Sequence, residues 1–567
     1  MRRVFIGHRG VGKTSLLRRH QGYFPDVAHF DLDAEIEKSQ QQKISNIFQN
    51  KGEPAFREIE LSVFNQLIQN ENFVISLGAG FNIEHLQSID CEVIWVRRAT
   101  DQDGRIFLNR PRLNPDLSAL QEYQLRWKQR EPRFLEACDF LYEMPEGITE
   151  SDEIEKIIFQ PDFCLQTGRI ALLPNKMKSI RYFKNIELRT DLFSPLEIRQ
   201  IQKKYSDKNF LISYRSASNT DQTYESTCDW ALELGPVPDH LKKSNLVVSI
   251  HEGSVEQGLQ KLSNYSNYSL KLCPVIENWS ELAMGHQWQQ QDPSRRSFLP
   301  RTAPDQNRPL WQWYREWQIA QPIQFCNQFQ NIIDQPSVYR AVQAQLFPDN
   351  EIFGAVMGFP IHHSKTPVTQ QPQMAHRIFQ IPLLEKDFTM AIDLLCRWGL
   401  RFAAVTSPLK SVAQKLVGSQ EPINSLVFNK KWLGQNTDVD GLQSFIADLK
   451  AFSNQEIVVW GGGGVLGSLK QVFTNIKYYS ATTAQPRTDL DHAQNPQVLI
   501  WAAPRSEAVL LPPDYWELKI VLDLNYTEHS MGLELAHIRN LEYVSGLKMF
   551  YAQAERQRLF WVQNVKV

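Results

Sequence analysis

The chain opens with a glycine-rich loop directly after an apolar strand, and this arrangement constrains its fold more than any other feature. The segment MRRVFIGHRGVGKTSLL places the loop between the run VFI and an amphipathic stretch. In such a loop the backbone N–H groups and the next helix N-terminus face phosphates, while the lysine reaches the transferred group and the hydroxyl binds Mg²⁺. We therefore predict an N-terminal α/β domain that binds ATP with Mg²⁺. The residues expected to contact the nucleotide are Gly7, Gly10, Gly12, Lys13, Thr14 and Ser15.

Length and composition bound the remaining possibilities. A chain of 567 residues is too long for one core and predicts three or four domains of about 150 residues each. The net charge of −2 and the 42% apolar and 22% charged content indicate globular domains with small-molecule ligands, and favour neither nucleic acid nor membrane as a partner. Seven scattered cysteines and the lack of a leader or long apolar run predict a cytoplasmic protein without disulfides.

Charged residues downstream of the loop offer the groups that phosphoryl transfer needs. Asp31 and Asp33 lie in the strand-like run HFDLD, and the helical segment FREIE brings Arg57 and Glu60, so that all four can line one cleft. One carboxylate near the phosphates can hold Mg²⁺, and a second can deprotonate a substrate hydroxyl. Capping of a helix explains the two aspartates equally well, so the residues alone leave both interpretations open.

Five motifs, read in order, narrow this choice. The glycine-rich loop, HFDLD with FREIE, FVISLGAGF, NRPRLNP and REPRFLEACD together resemble shikimate kinase over about residues 1–165. The resemblance implies that Thr14 and Asp31 hold Mg²⁺ and that Lys13 and Asp33 are catalytic. It further implies that Arg57, Gly80 and Arg130 bind shikimate. Arg110 would belong to a lid over the ATP site.

The middle third, residues 166–348, reads as short strands alternating with helical segments, which predicts parallel strands joined by crossovers in a (β/α)8-like barrel. The active site of such a barrel lies at the carboxyl ends of its strands. Lys271 stands inside an apolar strand, where a lysine tends to lose its proton and become a nucleophile that forms imines. His251 follows another strand and can transfer protons. Taken singly, a surface lysine and a core histidine are the simpler interpretations.

The segments IELRTD, LISYRS, VVSIHEG and SLKL together resemble type I 3-dehydroquinate dehydratase. This resemblance implies that Lys271 forms a Schiff base and that His251 is the general acid and base. The span is shorter than the ~200 residues of small barrels, so we predict a trimmed barrel. Arg296 or Arg301 would close the carboxylate site, and the sequence does not choose between them. The implied substrate-binding residues are Glu187, Arg189, Arg215 and Arg301.

The last third, residues 349–567, contains two further signals. Lys410 ends the run FAAVTSPLK, and Asp438 lies in QNTDVDG. A cation–carboxylate pair of this kind can move a proton at an alcohol or ketone carbon, although a surface salt bridge is the simpler alternative. The strand EIVVWGGGGVLGS ends in a glycine-rich turn typical of a dinucleotide site, with its glycines at Gly461, Gly463 and Gly464.

These segments, with LIWAAP, IVLDLNYTEHS and VSGLKMFYAQA, resemble shikimate dehydrogenase. The resemblance implies a substrate subdomain over about 349–450, a Rossmann subdomain over about 451–545, C-terminal helices that close back, and catalysis by Lys410 and Asp438. The implied substrate-binding residues are Ser364, Thr366, Thr406, Asn424 and Gln553. The implied cofactor-binding residues, besides the glycines, are Ser480, Thr482, Gly546 and Met549.

The expected cofactor of this region is NADP, with NAD left open. The family's arginine for the 2′-phosphate is replaced in Ser480-Ala481-Thr482, so a guanidinium is missing there unless Arg487 supplies it.

The order of the three regions resembles the C-terminal part of the pentafunctional AROM proteins. It implies a multifunctional shikimate-pathway enzyme that takes 3-dehydroquinate through 3-dehydroshikimate and shikimate to shikimate 3-phosphate. Two alternatives stay open. One is a bifunctional kinase and dehydrogenase with a decayed barrel, and the other is a metabolite sensor similar to quinate-pathway repressors. We expect small-molecule substrates as partners, and a homodimer is left open.

Overall fold

The computed structural model describes residues 1–105, 116–216, 220–242, 245–306, 308–329, 332–349, 351–445, 448, 455–462, 466–473, 476–503, 508–526 and 530–565. The chain divides into two compact units. Unit 1 comprises Met1–Ala99, Arg130–Glu351 and Ala375–Ile381, and unit 2 comprises Thr100–Gln129, Ile352–Met374 and Pro382–Val567.

The first part of unit 1 is built on a parallel five-stranded sheet. Its strands are β1 (Arg2–Ile6), β2 (Ala28–Asp31), β3 (Phe73–Ser76), β4 (Glu92–Arg97) and β5 (Phe140–Glu143). They are ordered β2-β3-β1-β4-β5. Parallel strands end at the same edge of a sheet, so this order places the loops after β2, β3 and β1 side by side. The predicted phosphate loop follows β1, in the position that the sequence indicated.

The second part of unit 1 is a curved parallel sheet of seven strands. They are β6 (Leu165–Ala171), β7 (Phe183–Arg189), β8 (Asn209–Tyr214), β9 (Thr227–Ala231), β10 (Leu246–Ile250), β11 (Ser269–Leu272) and β12 (Arg296–Phe298). Each strand pairs with its neighbours in the sequence. Past β12, the backbone N–H of Ile323 donates to Ser297 Oγ at 2.9 Å, and a parallel bridge joins Phe325 to Arg169 of β6. The segment around these residues thus spans the two edges of the sheet.

The barrel is trimmed in its crossovers. The α-helices Pro195–Lys204, Val255–Leu262 and Trp279–Gln290 follow β7, β10 and β11. Among the described residues no α-helix lies between β8 and β9, and only two single-turn 3-10 helices lie between β9 and β10. These short connections account for the short span of the region.

Unit 2 contains two sheets. In the first, β13 (Phe353–Gly358) and β15 (Leu400–Val405) are parallel, and β16 (Ser425–Asn429) and β17 (Lys431–Gln435) extend the sheet in antiparallel fashion. The strand β14 (Ile378–Pro382) falls almost wholly within unit 1.

The second sheet of unit 2 is fully parallel. Its strands are β18 (Ile457–Gly461), β19 (Ile476–Tyr479), β20 (Val498–Ala502), β21 (Ile520–Asp523) and β22 (Glu542–Val544), in the order β19-β18-β20-β21-β22. Alternate side chains of β18 enter two different apolar clusters, Val458 and Trp460 on one face and Val459 on the other. Both faces are therefore buried, as in doubly wound dinucleotide-binding folds.

The helices complete the layers around these sheets. The remaining α-helices are Lys13–Tyr23, Leu32–Gln40, Ile44–Leu67, Ala119–Ala137, Glu153–Ile158, Gln312–Trp317, Val338–Leu346, Thr366–Gln370, Phe388–Arg397, Lys410–Val417, Asp438–Gln443, Leu466–Val472, Met531–Ile538 and Leu547–Asn564. Within the described part of the chain, no helix combines the length and the apolar character that a bilayer crossing requires.

Candidate active sites

The phosphate loop has the backbone geometry that its glycines predict. Gly7, Gly10 and Gly12 have φ angles of 153°, 72° and 100°, in the region that favours glycine. A Cβ at Gly7 would lie 2.3 Å from the Val96 carbonyl oxygen, so a side chain there is excluded. The Lys13 ammonium donates to the Gly7 and His8 carbonyl oxygens at 2.9 and 3.0 Å. The loop is thus closed around its own lysine at the start of the helix Lys13–Tyr23.

The predicted metal-binding residues lie together beside this loop. Thr14 Oγ1 donates to Asp31 Oδ2 at 2.7 Å, and the other Asp31 oxygen caps the helix Leu32–Gln40 by accepting from Ala34 N at 3.4 Å. A hydroxyl and a carboxylate are hard oxygen ligands of the kind Mg²⁺ takes together with phosphate and water. The two residues therefore fit the metal, while no group of three or more His, Cys, Asp or Glu among the described residues is placed to hold an ion.

The predicted shikimate-binding residues form a second cluster at the carboxyl ends of β2 and β3. A Cβ at Gly78 would lie 3.0 Å from Asp33 Oδ1, and a Cβ at Gly80 would lie 2.8 Å from the Arg57 guanidinium. Arg57 is held by Glu60 at 2.7 Å. Glu60 therefore lies beside Arg57 in the cluster, as the sequence of the FREIE segment indicated, and burial raises its pKa although Arg57 works against this.

Arg130 lies half-buried in the helix Ala119–Ala137, and Arg110 lies outside the described residues.

In the barrel, Lys271 does not stand in apolar surroundings as the sequence suggested. Its ammonium forms a buried ion pair with Asp229 Oδ2 from β9, and Arg215 donates to the same oxygen at 2.7 Å. Arg215 also reaches Glu187 Oε1 at 3.2 Å. The two cations outweigh burial and hold the pKa of Asp229 well below its usual range. Asp229 was not predicted, because in the sequence it is one more polar residue within the strand CDWALEL.

His251 lies next to this network at the end of β10. Glu233 accepts from its backbone N–H at 2.6 Å and lies 3.4 Å from its Nδ1. Burial disfavours the charged imidazole, but Cys273 and Glu233 together raise the pKa of His251 above its ordinary value. Glu233 and Cys273 were also missed by the sequence analysis.

The structure distinguishes between Arg296 and Arg301, which the sequence left as alternatives for the carboxylate site. Arg301 donates through Nε to the Cys273 carbonyl oxygen at 2.8 Å and through its terminal nitrogen to the His251 carbonyl oxygen. Arg296 points elsewhere, to the Trp288 carbonyl oxygen at 2.8 Å. Only Arg301 therefore lies at the cluster of Lys271 and His251. Arg189, also predicted, is held by Asp191 at the end of β7.

In unit 2 the predicted catalytic pair is in contact. The Lys410 ammonium bonds Asp438 Oδ2, and Asn424 Nδ2 donates to the other Asp438 oxygen at 2.8 Å. Asn424 Oδ1 accepts from the Thr437 backbone N–H at 2.9 Å. Asn424 is therefore a support for Asp438, whereas the resemblance implied contact with substrate.

A cavity of about 180 Å³ lies against this pair, large enough for a small organic acid. The side chain of Lys410 is 20% exposed toward it. The predicted residues that line the cavity are Ser364, Thr366, Thr406, Lys410, Asp438, Gly546, Met549 and Gln553. Asn424 is not among them, and apolar walls come from residues that were not predicted, including Val356, Ile361, Leu524 and Phe550.

The glycine-rich turn follows β18 as predicted. Gly461 has φ 91°, and a Cβ there would lie 2.8 Å from the Ala503 Cα. Arg487 donates to the Gly461 carbonyl oxygen at 3.2 Å, which brings a guanidinium to the turn. Ser480 and Thr482, joined through their hydroxyls at 3.0 Å, follow the neighbouring strand β19. Gly463 and Gly464 lie outside the described residues.

The loop, its lysine and the Thr14–Asp31 pair define a P-loop domain of the phosphoryl-transfer type. A family model described as "Shikimate kinase" matches residues 9–158. The shikimate kinase of Nostoc punctiforme is 32% identical over 168 residues, which cover 27% of this chain and 86% of that protein. The chain belongs to the shikimate kinase family.

Two further similarities cover only part of a relative or have low sequence identity. The shikimate kinase of Rhodococcus erythropolis is 42% identical over 77 residues, 14% of this chain. The chain spans only 45% of the length of that relative. A solved structure of the dehydroquinate dehydratase and shikimate dehydrogenase from S. pombe AroM covers 72% of this chain and 97% of its own, with 15% identity and a TM-score of 0.28. At that score the likeness says nothing about activity.

Proposed function

We propose that the chain converts 3-dehydroquinate to shikimate 3-phosphate in three steps: dehydration, reduction with NADPH, and phosphorylation with ATP and Mg²⁺. One observation carries this proposal. Asp33, Lys271 and Lys410, the central group of each predicted site, all lie at or just beyond a strand, with oppositely charged or glycine-lined surroundings ready to hold a small acid. Three successive reactions on one substrate would require all three groups.

For phosphorylation, Asp33 accepts the proton of the attacking shikimate hydroxyl, and the new O–P bond forms as the bond to ADP breaks. Lys13 stabilises the charge on the transferred phosphoryl group after it leaves the Gly7 and His8 carbonyl oxygens. Thr14 and Asp31 would hold Mg²⁺, which supplies further charge neutralisation when bound. Arg57, above Gly80, is placed to bind the shikimate carboxylate.

For dehydration, Lys271 first gives up a proton and then attacks the substrate ketone, so that an imine forms and water leaves. His251 removes the proton from the carbon next to the imine, and the tertiary hydroxyl departs as water. Hydrolysis of the imine releases 3-dehydroshikimate. The proton of Lys271 passes to solvent water, and Asp229, oriented by Arg215, keeps the amine in position.

For reduction, Lys410 donates a proton to the ketone oxygen, and Asp438 holds the ammonium in place. The bound nicotinamide supplies the hydride. Ser364 and Thr366, which also line the cavity, offer hydroxyls to the substrate carboxylate. The apolar lining excludes water from the reacting carbon.

We propose NADP as the dinucleotide because Arg487 lies beside the end of β19, where a 2′-phosphate needs a guanidinium. Its backbone N–H donates to the Tyr478 carbonyl oxygen at 2.8 Å, and its side chain reaches the Gly461 carbonyl oxygen of the neighbouring turn. Replacement by alanine in Arg487→Ala should raise the KM for NADPH about tenfold while leaving the KM for NADH unchanged. Initial rates with each cofactor measure this preference, and an equal effect on both cofactors would contradict it.

A second candidate function is a kinase and dehydrogenase joined by an inactive barrel. Two observations favour it: the described residues between β8 and β9 contain no α-helix, and a sealed ion pair engages Lys271.

One reaction mixture distinguishes between these candidate functions. The purified chain is incubated with 3-dehydroquinate, NADPH and Mg-ATP, and the products are identified by mass spectrometry. Shikimate 3-phosphate supports the three-step enzyme. Unchanged 3-dehydroquinate, with added shikimate still phosphorylated and oxidised, supports the inactive barrel, and inertness at every step with retained ligand binding supports the sensor.

The kinase site has its own matched test. Gly80→Ala places a methyl group 2.8 Å from the Arg57 guanidinium, so it should raise the KM for shikimate about tenfold and leave the KM for ATP unchanged. Gly22→Ala is the control, because a Cβ at Gly22 meets nothing within 4 Å. If the two variants behave alike, Arg57 does not bind shikimate.

A further inference from the structure

The barrel contains a nucleophilic group that the proposed dehydration does not use. Ile250 of β10 pairs with Leu272 of β11, so the next residues, His251 and Cys273, stand side by side at the carboxyl ends of adjacent strands. The Cys273 backbone N–H donates to the Ile250 carbonyl oxygen at 2.8 Å, which continues the ladder to this point.

Arg301 fixes the two residues relative to each other. Its Nε donates to the Cys273 carbonyl oxygen at 2.8 Å, and its terminal nitrogen donates to the His251 carbonyl oxygen. One planar guanidinium therefore spans the ends of both strands, and the imidazole and the thiol keep their neighbouring positions.

Cys273 lies inside the barrel, and it lies on the path to Lys271. Residues two apart on a strand share a face, so Cys273 and Lys271 project to the same side of β11. Cys273 packs with Leu211 and Phe325 of the interior cluster and is 6% exposed. The His251 side chain beside it is 27% exposed. A small molecule that reaches the lysine from the strand ends passes the thiol.

The surrounding charges favour the thiolate. Burial alone would raise the pKa of the Cys273 thiol, but His251, Lys271 and Arg315 together lower that pKa below its ordinary value. Glu233 contacts the imidazole and favours its protonated form, while Arg215 opposes it. A thiolate held next to an imidazolium is the nucleophilic arrangement of cysteine.

We propose that Cys273 and His251 form a nucleophilic thiol–imidazole pair that takes small conjugated carbonyl compounds as covalent ligands. The thiol proton passes to His251, and the sulfur forms a bond to the β-carbon of the carbonyl compound. The electrons of the carbon–carbon double bond move to the carbonyl as an enolate, whose α-carbon then takes the proton from His251. The addition is balanced without any oxidant or reductant.

Cys326 is the internal control for this reactivity. It lies buried in the same barrel region, but burial raises the pKa of its thiol to about 12. Cys138, also buried, has its thiol pKa raised to about 12 for the same reason. Neither thiol should compete with Cys273 near neutral pH.

The test uses the full chain with two conjugated carbonyl probes of different size, N-ethylmaleimide and methyl vinyl ketone. Samples are quenched over time at pH 7, and the modified cysteine is identified by peptide mass spectrometry. We expect Cys273 to react at least about tenfold faster than Cys326. In His251→Asn the Cys273 rate should fall to that of Cys326 at pH 7 and recover at pH 9, where the thiolate forms without help.

Three results would overturn the proposal: no modification of Cys273 by either probe, a rate equal to that of Cys326, or an unchanged rate in His251→Asn. The readout is mass at Cys273, so it does not depend on dehydration. Borohydride trapping at Lys271 tests the dehydratase separately, and either idea can fail while the other stands.

Discussion

The barrel and unit 2 both hold a lysine–aspartate ion pair, yet the two pairs differ in access. In unit 2 the Lys410 side chain is 20% exposed and faces a cavity. In the barrel the Lys271 side chain is 1% exposed and Asp229 is fully buried. The first pair meets a substrate as it stands, whereas the second must open before its lysine can act.

The groups that hold the two aspartates also differ. Asp438 is held by a neutral amide from Asn424, whereas Asp229 is shared with a second cation, Arg215. A buried carboxylate between two cations stays ionised and accepts a proton less readily than a carboxylate without them. The comparison teaches that similar residue types give an ion pair open to a cavity in one place and a sealed, charge-balanced core in the other.

Removal of the buried lysine should have the largest effect. In Lys271→Met we expect dehydration and the borohydride-trapped adduct to disappear, and local stability to fall by about 3 kcal/mol because a buried partner of Asp229 is lost. Substrate loss is followed by mass spectrometry, and stability by amide hydrogen exchange of β9 and β11. The control is Lys261→Met on the exposed face of the helix Val255–Leu262. Persistent dehydration in Lys271→Met would rule out the imine.

Removal of Lys410, whose side chain lines the cavity, should affect chemistry more than stability. In Lys410→Met we expect shikimate oxidation to fall about 10³-fold, the usual range for a lost acid–base group. Stability should fall by less than in Lys271→Met, because the Lys410 side chain is partly exposed and Asp438 keeps its hydrogen bond from Asn424. Lys415→Met, on the exposed side of the same helix, is the control. Loss of stability comparable to that in Lys271→Met would show that the two pairs are alike.

A smaller effect should follow from the support of Asp438. In Asn424→Ala the carboxylate loses its amide donor, so we expect kcat for shikimate oxidation to fall about tenfold with KM nearly unchanged. Steady-state kinetics separate the two constants. A raised KM with unchanged kcat would return Asn424 to the substrate-binding role that the sequence resemblance implied.

The smallest expected effect is a shift in the pH dependence of dehydration by the barrel. His251 acts as a base only when neutral, and its pKa is raised, so dehydration should decline as pH falls through a value above 6.5. Glu233→Gln removes a group that favours the charged imidazole, so the decline should move to lower pH. The rate of dehydration between pH 5 and 9 measures this shift. An unmoved profile would mean that Glu233 does not act on His251.

Local sequence was sufficient where one short segment carries the whole feature. The phosphate loop, the glycine turn after β18 and the Lys410–Asp438 pair were all predicted, because backbone conformation and residue type are encoded within a few positions. Asp229 was missed because its partners, Lys271 and Arg215, come from other strands and meet it only in the folded sheet. The sequence likewise could not predict that Arg301, and not Arg296, lies beside His251 and Cys273, because both arginines belong to one polar stretch.

By itself the sequence determined the loop that faces phosphates, the parallel character of the strands, and the identity of the groups that can act as bases and nucleophiles. These properties follow from glycine φ angles, apolar runs and side-chain chemistry, which are local. Only the tertiary structure decided which carboxylate meets which cation, and whether the resulting pair is sealed or open to a cavity. Such contacts join residues tens of positions apart, and their electrostatics depend on burial that only the assembled sheets create.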